Sequence, residues 1–132
     1  MHPKQQLEGT GLRPKKSFGQ NFLADDVHLG KIASLTVALA EHDRERTVVE
    51  MGAGLGALTA HLLAKGARVH AVERDRDLVP LLRARFVDDV GQSRLTVHED
   101  NALTFSLEVL ADGGALAGNL PYHHAAQIAT RA

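Results

Sequence analysis

The chain has 132 residues, 44% of them hydrophobic, a net charge of -1 and no cysteine. That size and apolar content suit one domain with a single core, and the near-zero charge excludes a polyelectrolyte that binds nucleic acid over its whole surface. The lack of cysteine excludes disulfides and zinc-thiolate sites, and the lack of a membrane span or signal-peptide core predicts a cytoplasmic protein without membrane attachment.

Residues 1–17 are polar and broken by Pro3, Gly9, Gly11 and Pro14, which predicts a flexible basic arm without regular structure. Its cations, Lys4, Arg13, Lys15 and Lys16, stand against Glu8 alone. They suit either a solvated tail or contacts to RNA phosphates through Arg13, Lys15 and Lys16. Phe18-Gly19-Gln20-Asn21-Phe22-Leu23 holds two of the four phenylalanines, which suggests a segment packed down against the domain. Asp25 or Asp26 is then expected to cap a helix running to about Glu41, with Leu29, Ile32, Leu35 and Leu39 on its buried stripe.

Val48-Val49-Glu50-Met51 reads as a strand entering a turn with glycines at Gly52, Gly54 and Gly56. Leu55, Leu58 and Leu62 then follow at helical spacing. Glycines in such a loop reach positive φ and admit a ligand close to the backbone, while the following helix N-terminus offers unpaired N–H donors. The alternate spacing does not match the G-x-G-x-x-G of dinucleotide sites. Together with Glu50, and with Glu73 closing the next strand where a carboxylate can grip a ribose diol, it resembles the S-adenosyl-L-methionine site of Rossmann-like methyltransferases. A glycine turn that only packs a helix on a strand would read similarly.

Gly66 is expected to end that helix, and Arg68 to Glu73 to form the second strand. A helix with Leu78, Leu81, Leu82 and Phe86 inward follows, with Pro80 tolerated in its first turn. The third strand spans Arg94 to Glu99 and ends at Asp100-Asn101; Thr104 to Ala111 predicts a weak helix, and Ala115 to Gly118 a fourth strand. Alternating strands and helices imply an α/β fold with a parallel, doubly wound sheet, whose ligands bind at the carboxyl ends of the strands. Glu50, Gly52, Glu73, Asp100 and Asn119 all fall there.

Asn119-Leu120-Pro121-Tyr122 contains the only tyrosine. Pro121 biases Leu120 toward an extended form, so the carbonyls of this turn can point outward, beside an amide acceptor and an aromatic ring. The exocyclic amine of a base suits that combination. Acceptors at both its N–H groups favour the pyramidal, nucleophilic nitrogen, and a sulfonium methyl needs only in-line positioning, without a metal.

Phe18 to Leu23, Glu50 to Gly56, Glu73-Arg74-Asp75, Asp100-Asn101-Ala102 and Asn119 to Tyr122, in this order, resemble the small-subunit ribosomal RNA adenine dimethyltransferases, the KsgA family. The match covers residues 15–125. It implies dimethylation at N6 of two adjacent adenosines near the 3′ end of 16S ribosomal RNA, on an immature small ribosomal subunit and without an obligate protein partner. It implies that Asn21, Leu23, Gly52, Gly54, Glu73, Asp100 and Asn119 line the S-adenosyl-L-methionine site, with Asn101 and Ala102 flanking the adenine ring. Asn119, Leu120, Pro121 and Tyr122 would hold and stack the flipped target base. His123-His124 replaces the small residues usual there.

Family members continue past this point with three more strands and a helical domain. A sheet in the order 3-2-1-4, truncated after its fourth strand, is therefore expected, with that strand as an exposed edge prone to self-association and a helix beginning before Ala132. Large-subunit enzymes of the antibiotic-resistance type share most of these motifs. A catalytically incomplete RNA- or ribosome-binding fragment is the reading from another class, and glycine spacing disfavours a nicotinamide dehydrogenase.

Overall fold

The computed structural model describes residues 18–110, 113–120 and 123–128, with side chains over 25–110 and 113–118. Arg13, Lys15, Lys16, Pro121 and Tyr122 lie outside the described residues, as do the side chains of Asn21, Leu23, Asn119 and Leu120.

Helix α1 (Phe18–Leu39) precedes β1 (Thr47–Met51), α2 (Ala57–Ala64), β2 (Arg68–Glu73), α3 (Leu78–Arg85), α4 (Val87–Gly91), β3 (Leu95–Glu99), a 3-10 turn (Leu107–Val109), β4 (Ala115–Leu120) and β5 (His123–Ile128). The sheet order is β3-β2-β1-β4-β5. β1 to β4 are parallel, and β5 is antiparallel to β4.

All five residues of β1 are buried, as befits a central parallel strand covered on both faces. Val48 lies in a core with α1, α2 and α3, formed by Leu29, Ile32, Ala33, Val37, Leu58, Leu62, Val79 and Leu82. The neighbouring Val49 and Met51 point the opposite way, with Val72 and Leu110, against Ala102, Phe105 and Leu116. The connection from β3 to β4 thus covers the second face while the earlier crossovers cover the first. The winding therefore reverses between β1 and β4, and the glycine loop sits at that switch point, where open α/β sheets bind ligands.

Several expectations are corrected. α1 begins at Phe18 and runs through Asp25 and Asp26, so neither caps it, and it ends at Leu39 rather than Glu41. Its buried face is Leu29, Ile32, Ala33, Thr36 and Val37, continued by Ala40 just past its end, whereas Leu35 is 64% exposed. Small residues let the helix approach the sheet, and buried Thr36 satisfies its hydroxyl by donating to the Ile32 carbonyl at 2.7 Å. Leu55 belongs to the loop and not to α2, and α3 turns Val79 and Leu82 inward while Leu81 is exposed. Of the expected helix from Thr104 to Ala111, residues 104–110 show only the 3-10 turn, and Ala111 lies outside the described residues.

The largest departure is β5. The fourth strand is not an exposed edge, because His123–Ile128 pairs along it from Ala115↔Ile128 to Leu120↔His123, where a helix was expected. β4 likewise extends to Leu120, which stays in the ladder instead of leaving it. An unpaired row of N–H and C=O groups is satisfied by whatever extended segment is nearest, and here the segment after Tyr122 supplies it.

Other punctuation follows expectation. Gly66, at φ 86°, ends α2; its N–H donates to the Leu63 carbonyl at 3.0 Å and that of Ala67 to the Leu62 carbonyl at 3.2 Å, a Schellman motif.

Candidate active site

Gly52, Gly54 and Gly56 have φ of 71°, 58° and 93°. The loop is held from three sides. The Gly52 and Ala53 N–H groups donate to the Val72 carbonyl at 2.9 and 3.2 Å, and that of Gly56 to the Ala53 carbonyl at 3.0 Å. Gly54 N–H donates to Glu73 Oε1 at 2.7 Å, while Glu73 Oε2 accepts from Asp75 N–H at 2.9 Å. One carboxylate therefore ties the loop after β1 to the loop after β2. Each of its oxygens keeps further acceptor capacity, enough for a diol.

The glycines differ in what a side chain would meet. A Cβ on Gly56 would lie 2.6 Å from Phe86 Cε2 and 2.9 Å from Leu82 Cδ1, whereas a Cβ on Gly54 would meet nothing within 4 Å among the described residues. Gly56 is seated on protein and Gly54 faces open space. At the start of α2 the N–H groups of Ala57, Leu58 and Thr59 find no acceptor among the described residues, and Gly56 supplies no side-chain cap. That end suits an anion. Sequence reasoning missed the Phe86 and Leu82 seat, because nothing local marks a contact across some thirty residues of sequence.

Glu50 is wholly buried beneath the loop, where Oε1 accepts from Thr59 Oγ1 at 2.5 Å and Oε2 has no partner among the described residues. Burial, opposed by the Thr59 hydrogen bond and reinforced by the nearby Glu73, pushes its pKa up to about 8. Between the ordinary carboxyl range and about 8 only the folded chain holds this proton, so Glu50's contribution to stability is complete at acid pH and is lost as pH rises through that window. Without ligand, wild type is expected to lose stability progressively from pH 5 to 8. Glu50→Gln should flatten the slope and gain about 2 kcal/mol at pH 7. Urea denaturation across that range is the measurement, and parallel curves for the two proteins would show that Glu50 is ionised in the fold.

Register brings the remaining strand ends level. Glu73 pairs with Glu99, so Asp100 follows beside it, and Asp100 N–H donates to the Glu73 carbonyl at 3.1 Å. Asp100 Oδ1 accepts from Asn101 N–H at 2.7 Å, and Asn101 Oδ1 from Leu103 N–H at 2.9 Å, closing a tight turn. Beneath it His98 lies between Phe105 and His70, with His70 Nδ1 3.0 Å from His98 Nε2. Burial lowers both imidazole pKa values, which keeps the pair neutral and able to share one N–H···N bond. On the other side Gly118 pairs with Met51, which places Asn119 level with Gly52.

The fold thus gathers Glu50, Gly52, Gly54, Glu73, Asp100, Asn101, Ala102 and the backbone of Asn119 along one rim. Chemically the rim offers helix N–H donors for an anion, a carboxylate for a diol, and an apolar second face beside Ala102 and Phe105 for a ring. Among the described residues no group of three or more His, Asp or Glu could hold a metal, and no helix is long and apolar enough to cross a membrane.

A family model described as ribosomal RNA adenine dimethylase matches residues 11–132. The protein named ribosomal RNA small subunit methyltransferase A of Anaeromyxobacter sp. (strain K) is 46% identical over 129 residues, covering 92% of this chain and 44% of that protein. The protein of the same name from Myxococcus xanthus (strain DK1622) is 45% identical over 123 residues, covering 92% and 40%. The chain therefore spans about two fifths of the length of these curated relatives. Among solved structures, a dimethyladenosine transferase from Plasmodium falciparum superposes with a TM-score of 0.52 at 25% identity, over 70% of this chain and 32% of that one. A glycopeptide N-methyltransferase complexed with sinefungin gives 0.52 at 19% identity over 68% and 52%, a likeness of fold alone.

Proposed function

The chain belongs to the ribosomal RNA adenine dimethylase family, and from that membership we propose that it binds S-adenosyl-L-methionine for N6-dimethylation of adenosine. The substrate is two adjacent adenosines near the 3′ end of 16S ribosomal RNA, met on an immature small subunit in the cytoplasm. The observation that supports this best is the cradle after β1: three glycines at positive φ, Gly54 with no described residue against its Cα face, and Glu73 bonded to its N–H.

The residues fit the cofactor. Glu73 takes the ribose hydroxyls, the first turn of α2 faces the methionyl carboxylate, and Asp100, Asn101 and Ala102 border the adenine, with Asn21 and Leu23 as further cofactor-lining residues by family resemblance. The cofactor supplies a methyl already activated on sulfonium sulfur, so the chain's task is positioning. Asn119 accepts from the N6 amine, which keeps its lone pair on nitrogen, and Tyr122 stacks on the base. Arg13, Lys15 and Lys16 meet phosphates, which sets affinity more than sequence choice.

Calorimetric titration with S-adenosyl-L-methionine and with a nicotinamide dinucleotide tests the cofactor, and transfer of labelled methyl to immature small subunits tests the reaction. Binding of the first ligand only, with label recovered as N6-dimethyladenosine, is expected. Cofactor binding without transfer would instead favour a non-catalytic RNA-binding role. Glu73→Ala removes the diol acceptor and the Gly54 tether together, and should weaken cofactor binding by about 1–3 kcal/mol. Equal affinity in the same calorimetric assay would remove Glu73 from the site.

A further inference from the structure

The peptide unit between Leu55 and Gly56 is gripped at both ends. Its N–H donates to the Ala53 carbonyl at 3.0 Å, and its carbonyl accepts from Arg85 Nη1 at 2.7 Å. Arg85 comes from the last turn of α3, and its guanidinium carbon lies 5.0 Å from the centroid of the Phe86 ring, the ring on which Gly56 is seated. Rotation of this peptide plane turns on ψ of Leu55 and φ of Gly56, and the absence of a Cβ at Gly56 lowers its steric resistance, so local sequence alone fixes its direction weakly. A flip would turn the carbonyl toward the cradle and place an acceptor where the start of α2 presents donors. The Arg85 bond from α3, the Phe86 ring just after it and the Gly56 N–H bond to the Ala53 carbonyl oppose it.

Resting on the cofactor reading above, we infer that Arg85 is a positioning residue for cofactor binding, pinning the Leu55 carbonyl outward so that the glycine loop is pre-organised before the ligand arrives. Pre-organisation raises affinity by removing an ordering step from binding, without any contact to the ligand. The fork geometry matters, since one guanidinium reaches the carbonyl while its plane lies near the Phe86 ring.

The test uses the whole chain with Arg85→Ala and Arg85→Lys. Arg85→Ala is expected to weaken S-adenosyl-L-methionine binding by about 5–10-fold, the scale of one hydrogen bond, and to speed amide exchange of Gly56 in the ligand-free protein by a similar factor. Arg85→Lys, which keeps one donor, should recover part of both. The ligand-free denaturation midpoint should hardly move, because Arg85 is exposed and outside the core. An Ala variant that binds within twofold of wild type, or whose Gly56 amide exchanges at the wild-type rate, would overturn the inference. If wild type itself binds no cofactor, the functional reading fails, and the exchange measurement alone still decides whether Arg85 holds the loop.

Discussion

Gly56→Ala is expected to destabilise the chain by roughly 4 kcal/mol and to abolish measurable cofactor binding. Two independent penalties combine. At φ 93° the backbone lies beyond the left-handed region that L residues reach, which costs about 1–2 kcal/mol. The added methyl would also overlap Phe86 Cε2 at 2.6 Å and Leu82 Cδ1 at 2.9 Å, and overpacking of that kind costs about 1–3 kcal/mol. Neither neighbour can swing away cheaply, since Leu82 is buried in the main core and Phe86 packs against it. Thermal or urea unfolding of wild type and variant measures the loss. Gly54→Ala separates the loop's two duties: with φ 58° and no atom within 4 Å, it should cost only about 1 kcal/mol of stability while its methyl enters the ligand's space. A Gly56→Ala protein as stable as Gly54→Ala would mean that the loop does not rest on α3 as described.

What could be read from the chain alone was what local chemistry decides. The glycine loop, the Gly66 terminator and the acids ending β1, β2 and β3 are each written in consecutive residues, and the structure places them where the pattern implied. Helix faces were less legible, because the stripe was sought among large side chains. In and just after α1 the buried positions include the small Ala33, Thr36 and Ala40, whose size permits close packing, and Leu35 is left outside. β5 was invisible for another reason. His123-His124-Ala125-Ala126-Gln127-Ile128 has little intrinsic strand preference, and its conformation comes from the unsatisfied edge of β4 beside it. The seat of Gly56 on Phe86 and the bond from Arg85 to Leu55 were out of reach, since long-range contacts leave no periodicity.

Asn119→Ala should lower methyl transfer to adenine by about 10²–10³-fold, the scale for removing one preorganised polar group from a developing charge. Its position supports so large an effect: Gly118 pairs with Met51, so Asn119 stands near the end of β4 level with the glycine loop, at the switch point of the sheet. As N6 attacks the methyl carbon, the C–S bond breaks, positive charge builds on nitrogen, and the proton leaves to solvent after transfer. An amide oxygen accepting from N6–H stabilises that charge more than the neutral amine of the ground state, so the loss falls on the rate and not on binding. Cofactor affinity should change little, because Gly52, Gly54, Glu73 and Asp100 come from β1, β2 and β3, which the substitution leaves alone. RNA affinity should change less still, being carried by phosphate contacts. Since the chain spans about two fifths of its relatives' length, single-turnover methylation of immature small subunits is best measured with this chain continued by the remaining sequence of such a relative. Calorimetric cofactor binding is run in parallel. A variant with near-normal single-turnover rate would remove Asn119 from the chemistry and shift the orienting role to the Tyr122 ring.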